Sequence, residues 1–428
     1  MRSTVILLIF FVLSTFNSLN SALAAEPDST GLTYLIAKAI ENNPDYQAAL
    51  KRASSIRASV DPAGVLPDPK LGFAVANLPT NSFVFDQEPM TGKKISLMQA
   101  LPFPGKLGLK SDIAEANYWQ VKFQADELKN NLIRAVKKNY YQLYLIDRSI
   151  ETVKKNKELL QQMKNIAETK YGVGQGLQQD VLKSHVELSK LTDKLIQLHR
   201  KRERVVFSLN KILNRPLATQ INEVILRDEN IPEIEMEKLI SLAEKNRPLL
   251  KVWKKVVEQS QTGEKLAKRN YWPDFAIGVA YTQRDDLANG VKMNDFFSAE
   301  ISLNLPIYFF KKQKYEVQRT QLETASLIEK FQSTINEVHY QIEDALSEIK
   351  KYEELITLYR DGIIPQAQQS FNSALSGYQV DKVDFLTLFN NQMTLFNFEL
   401  DFYRVQTERL NAIADLEFAL GFSIDSLK

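Results

Sequence analysis

Gln99-Ala-Leu-Pro-Phe-Pro-Gly-Lys-Leu-Gly-Leu-Lys110 joins two unlike patterns. Before it, apolar and polar residues alternate with the period of a strand; after it, a helical pattern runs on for many turns. Pro102 and Pro104 lack the N–H that strand pairing needs, and Gly105 permits a bend. The stretch ends a strand and opens a helix.

Working outward, the same order of elements is found twice. Leu35-Ile36 with Asn43-Pro44 recurs as Leu239-Ile240 with Arg247-Pro248, and Pro67-Asp68 with Gly72 recurs as Pro273-Asp274 with Gly278. Ile95-Ser96-Leu97 returns as Ile301-Ser302-Leu303, and Asp180-Val181-Leu182 as Asp384-Phe385-Leu386. The offset stays near about 205 residues, the mark of a tandem duplication of one long unit. The partner of the opening stretch is Leu305-Pro306-Ile-Tyr-Phe-Phe-Lys-Lys312, which keeps a proline, aromatics and lysines but lacks the glycine. A second, less sharply bent seam is expected there.

Each copy predicts a helix (about 32–60, then 236–270), two strands, a long helix (about 108–171, then 313–376), a tight turn and a further helix (about 178–213, then 380–420). The first repeat is set at 25–213 and the second at 236–421, with a connector at 214–235 carrying Pro216 and Pro232, and a tail at 422–428. Ile328, Ile335, Ile342, Ile349, Ile356 and Ile363 keep a strict seven-residue spacing, with Phe331, Val338, Ala345, Tyr352 and Tyr359 three positions on. That is a coiled-coil seam. Ile146, Val153, Leu160 and Ala167 form a shorter one in the first copy. A helix of ~60 residues is roughly 90 Å long. The two shorter helices of a copy sum to about that length, so stacked end to end they match one long antiparallel partner.

In the strands, Phe297, Ala299, Ile301, Leu303 and Leu305 alternate with Ser298, Glu300, Ser302 and Asn304. Phe275, Ile277, Val279 and Tyr281 alternate with Ala276, Gly278 and Ala280. A bulky apolar face opposite a small or polar one suits a membrane barrel with a watery lumen, and aromatics at the strand ends suit interfacial girdles. Alternation alone fits a soluble sandwich as well. As membrane strands, four cannot close a barrel. Three copies give twelve, and other multiples are open on this argument.

The composition narrows the chemistry. The chain has 54 basic and 52 acidic residues, so there is no global nucleic-acid signature. It has no cysteine, hence no disulfide, thiolate metal site, cysteine nucleophile or lipidated cysteine. Its three histidines and seven methionines are scattered rather than paired, which argues against imidazole or thioether metal sites. No phosphate loop, nucleophile motif or cofactor fingerprint is visible, so an enzyme is not expected. At the N-terminus, Arg2, the apolar run Val5–Val12 and Ala22-Leu23-Ala24 read as a secretory signal peptide over 1–24.

The duplication, the QALPFPGK junction, Ile364-Pro-Gln-Ala367 and the turn Tyr171-Gly-Val-Gly174 before Asp180-Val-Leu182 together resemble the TolC family of outer-membrane efflux proteins. The resemblance implies a mainly α-helical homotrimer with a twelve-stranded β-barrel continued by a coiled-coil α-helical barrel. It also implies an equatorial belt including 214–235, and a passive duct docked to a periplasmic adaptor and an inner-membrane pump in the outer membrane of a Gram-negative bacterium. Pro67-Asp-Pro69 and PFPGK are similar to the branch serving heavy-metal pumps, whose lipidated cysteine is absent here. Type I protein secretion uses the same design, and a soluble periplasmic coiled-coil scaffold or adaptor is the rival from another class.

The resemblance also places site residues. Asp384 falls where acidic side chains ring the closed pore; the second acidic position is Thr387 here, so Asp381 is the candidate for the second charge, and Asp180 is the aspartate that follows the first tip turn. The alternative reading is that Asp180 and Asp384 are N-terminal helix residues favoured by the macrodipole. The tip turns Val173-Gly174-Gln175-Gly176-Leu177 and Gly377-Tyr378-Gln-Val380 are the adaptor-docking candidates, with Gly172, Gly174 and Gly176 letting the chain turn. Pro365, with Gly362 a turn earlier, is expected to kink its helix. At the junction, Pro102, Phe103, Pro104, Gly105, Lys106 and Pro306 mark the change from β to α. Phe103 is expected at the membrane interface and Lys106 toward lipid headgroups or water.

Overall fold

The computed structural model describes residues 31–224, 226 and 235–424; the signal-peptide reading and parts of the connector and tail lie outside them. The chain splits into two compact units, a helical one from the described parts of Met1–Gln47, Leu128–Ala243 and His339–Lys428, and a sheet-bearing one from Ala48–Glu127 and Glu244–Val338. The elements run α1 (Leu32–Asn42), α2 (Pro44–Arg57), α3 (Val60–Ala63), β1 (Lys70–Ala76), β2 (Gly92–Leu101), α4 (Lys106–Gly172) and α5 (Gln178–Ile212). They continue α6 (Met236–Asn246), α7 (Pro248–Arg269), β3 (Asp274–Gln283), β4 (Phe296–Asn304), α8 (Gln313–Leu358), α9 (Ile364–Gln379) and α10 (Phe385–Leu420). None of the described helices is long and apolar enough to cross a membrane.

The expected single helices 32–60 and 236–270 are each broken at the X–Pro step. A residue before proline is driven out of the α region, and Asn43 (ψ 120°) and Arg247 (ψ 117°) are extended there. Asn43 also makes the break useful in the helical unit. Its side-chain oxygen accepts from Tyr46 N at 3.1 Å, and its amide donates to Ile212 O at 3.0 Å, satisfying an orphan carbonyl at the end of α5. Asn43 thus brings the end of α5 to the break between α1 and α2, so the reading of 32–60 as one helix stacked on 178–213 does not hold as a single rod. In the sheet-bearing unit Arg247 is fully buried, and its guanidinium donates to Glu127 at 2.8 Å.

Within the helical unit Val153, Leu160 and Ala167 of α4 are buried against Leu191 of α5, Phe371 of α9 and Phe389 of α10. Burying each large side chain contributes about 1.5–3 kcal/mol. The long stripe on α8 is buried only in its middle, at Val338, Ile342, Ala345 and Ile349, whereas Ile328 is exposed. Pro365 does not break its helix. Residues Tyr359–Ile363 widen into one π turn, in which Ile364 N–H bonds to Tyr359 O, absorbing the proline without ending the helix. The described start of the connector is packed: Ile221 and Val224 are buried, and Asn210 donates to Leu217 O and Thr219 O.

The sheet is antiparallel with order β1-β2-β3-β4, so the two copies meet at β2–β3 and β1 and β4 form the edges. The register puts Phe73, Ile95, Tyr281 and Phe297 in one row and Leu71, Leu97, Val279 and Ala299 in the next. Phe73, Phe297 and Ile301 of this face are 74%, 75% and 72% exposed. The opposite face carries Gly72, Ser96, Ala280 and Ser298 in one row.

Candidate functional site

At the junction, Gly105 adopts φ +87° and Lys106 N bonds back to Phe103 O at 3.1 Å, turning the chain directly from β2 into α4. Phe103 stacks between Trp272 (5.2 Å) and Phe275 (6.5 Å). Asp274, at the start of β3, accepts from Phe103 N and from Lys106 Nζ, both at 2.8 Å, and Lys106 Nζ also donates to Trp272 O at 3.1 Å. This corrects the expectation for Lys106. It is 5% exposed and reaches inward, because a carboxylate and a carbonyl satisfy its charge at the point where the chain bends. The second seam is longer. Pro306 O accepts from Phe309 N, and a run of turns continues to Lys312 before α8 begins, with no left-handed glycine.

At the other site, the two tip turns share one backbone design. In the first, Gln175 N bonds Lys170 O at 2.8 Å and Gly174 N bonds Tyr171 O at 3.0 Å, with Gly174 at φ +77°. In the second, Lys382 N bonds Gly377 O at 2.9 Å and Asp381 N bonds Tyr378 O at 3.4 Å, with Asp381 at φ +62°. Both are Schellman endings, and Asp381 stands where the first copy has glycine. Aspartate tolerates this region because its short polar side chain can bond locally. Of the three first-turn glycines only Gly174 has a positive φ.

The second turn is Val380–Val383 rather than 377–380. Gly377 and Tyr378 lie in the last turn of α9 and offer little surface. A Cβ on Gly377 would come within 2.6 Å of Val383 Cγ2, and Tyr378 is buried with its ring 5.8 Å from that of Phe385. Val173 and Leu177, each 66% exposed, and Val380 carry the apolar surface of the tips.

Lys170, which sequence reasoning passed over, joins the two turns. Its ammonium pairs with Asp381, donates to Tyr378 O at 2.6 Å and lies 4.7 Å from the Tyr378 ring centre. The signal available was a basic residue in the last helical turn, where it favours the carbonyl end of the dipole. Asp384 is the N-cap of α10: Thr387 N donates to it at 2.7 Å and Thr387 Oγ1 at 3.1 Å. Those bonds hold its carboxyl below its ordinary range. The cap describes how Asp384 is seated, and Thr387 supports its charge rather than adding one. Asp180 is pushed up, first by burial and then by the charge of Asp384. The Tyr378 phenol is pushed up to about 12 by burial, with Asp180 and Asp381 adding to it. Its hydroxyl is buried with no hydrogen-bond partner among the described residues. Among the described residues no His, Asp and Glu group is arranged to hold a metal ion.

The sequence profile described as outer membrane efflux protein matches residues 35–215 and 239–422. The fold is similar to that of the outer-membrane channel OprN, with TM-score 0.79 and 14% identity, covering 92% of this chain and 90% of that one. It is similar to VceC from Vibrio cholerae, with TM-score 0.78 and 14% identity over 92% and 96% of the two chains. The Neisseria gonorrhoeae MtrE outer membrane channel gives TM-score 0.76 and 15% identity over 92% and 90%. No curated protein sequence matches the chain significantly. With both repeats matched across most of its length, the chain belongs to the outer membrane efflux protein family.

Proposed function

We propose that the protein is the outer-membrane duct of a tripartite efflux system, a passive channel through which an inner-membrane pump, coupled by a periplasmic adaptor, drives solutes such as metal cations or drugs outward. One observation carries this reading: the sheet exposes bulky apolar side chains over most of one face, carries mainly small or polar residues on the other, and ends in two edge strands, β1 and β4. Such a sheet is an aggregation hazard in water but a barrel segment in lipid. Three copies joined β4 to β1 close twelve strands and bury every edge.

The tips then form the periplasmic gate. Asp384 presents a charge held ionised by its cap, Asp180 faces it, and Lys170 with Asp381 ties the two hairpins of one chain together. The apolar rims Val173–Leu177 and Val380 are the surface offered to the adaptor. Fractionation of the mature protein tests the reading: it should be recovered from outer membranes only with detergent. Recovery in the soluble fraction without detergent supports a periplasmic scaffold instead.

A further inference from the structure

The two seams handle their lysines in opposite ways. The first turns Lys106 inward onto Asp274. The second leaves Lys311, Lys312 and Lys314 exposed, and none has a hydrogen-bonded or ion-paired side-chain partner among the described residues. The carboxylate that follows in the same helix, Glu316, is already engaged by Arg319 at 2.9 Å. The segment just before these lysines is Tyr308-Phe309-Phe310, whose rings are 66%, 51% and 52% exposed. Phe309 lies 6.2 Å from Tyr271, which precedes the exposed Trp272 at the start of the next strand. An apolar and aromatic shelf therefore continues the lipid-facing side of the sheet and ends in three uncompensated positive charges.

We propose that Tyr308–Lys314 is a binding surface for the headgroup of an anionic phospholipid, such as phosphatidylglycerol, in the periplasmic leaflet. The inference rests on the barrel reading above, which puts this end of the sheet at the periplasmic interface. Aromatic rings settle at the headgroup level, and lysines beyond them meet phosphate without leaving water. Clustered lysines beside a membrane favour anionic over zwitterionic lipid, additively for each charge near the surface. Duplication supplies the contrast: one seam uses its lysine to fix the bend, and the other frees its lysines for the bilayer.

The test is native mass spectrometry of the detergent-solubilised assembly titrated with phosphatidylglycerol or phosphatidylcholine. The wild type should retain phosphatidylglycerol preferentially. The variant Lys311→Gln/Lys312→Gln/Lys314→Gln should lose that preference by about tenfold or more, while the triple arginine variant keeps it. Equal phosphatidylglycerol retention by wild type and the glutamine variant overturns the proposal, as does protection of the three lysines from amine acetylation in lipid-free micelles, which would mean another copy covers them. Failure of the barrel reading shows differently: a chain soluble without detergent, whatever the lysines do.

Discussion

Lys170, in the last turn of α4, pairs with Asp381, the left-handed residue that ends α9. The pair ties one repeat to the other at the tips, the proposed gate. Asp381 is largely exposed, so a single pair is worth up to about 1 kcal/mol. In the proposed gate, three symmetric pairs that break on opening would favour the closed state by up to roughly a hundredfold. Lys170→Met and Asp381→Asn should each raise single-channel conductance, with asparagine still able to take the left-handed conformation. Wild-type conductance in both variants would remove the pair from the gate.

Asp384 combines a cap with a charge, and two substitutions separate them. Asparagine caps a helix as well as aspartate does. Asp384→Asn should therefore reduce cation selectivity, read as a shift in reversal potential, with little change in thermal stability. Asp384→Ala should lower both. A loss of stability without any change in selectivity would leave Asp384 a cap alone.

The pH dependence follows from Asp180, whose carboxyl is pushed up by burial and by Asp384. A raised carboxyl binds its proton more readily in the packed tip than in an opened or unfolded one. Packing is thus weakened at neutral pH and strengthened as pH falls through the raised value toward 3.8. Asp384 acts in the opposite sense, its contribution being lost as pH falls from 3.8 through its depressed value. Conductance should fall as pH drops through the raised value toward 3.8, and Asp180→Asn should flatten that response. An unchanged pH profile in Asp180→Asn would contradict the coupling.

The seams and the first tip turn are legible because proline and glycine fix backbone geometry locally, whereas the second tip turn, with Asp381 in the left-handed position, lies beyond its expected place. Pro102, Pro104, Gly105 and Gly174 each sit where their backbone preferences require. The X–Pro steps at Asn43 and Arg247 carry the same kind of signal, but the helical periodicity that runs across them masks it. Contacts between distant residues were not legible. Nothing local to Lys106 says that Asp274 lies beside it, and Asp381 carries no mark of standing in a glycine's place except its alignment with Gly174 in the repeat. The middle of the α8 stripe is buried and Ile328 is not, because periodicity records which face is apolar but not how much of it one chain covers.

Removing Lys106 should be costly, because Asp274 and Trp272 O lose their shared donor at a bend. Lys106→Met should lower stability by about 2 kcal/mol, seen as a lower unfolding temperature of the detergent-solubilised assembly. A change under about 0.5 kcal/mol, the size expected for ordinary surface substitutions, would mean that the proline–glycine turn alone sets the seam.

The most direct test of the duct is conductance of the purified mature protein in a planar lipid bilayer. Insertion in discrete, uniform steps, enlarged when the Lys170–Asp381 pair is removed, is the result expected of a closed barrel with a gated tip. A bilayer that stays silent with correctly folded, detergent-purified protein, wild type and Lys170→Met alike, would contradict it.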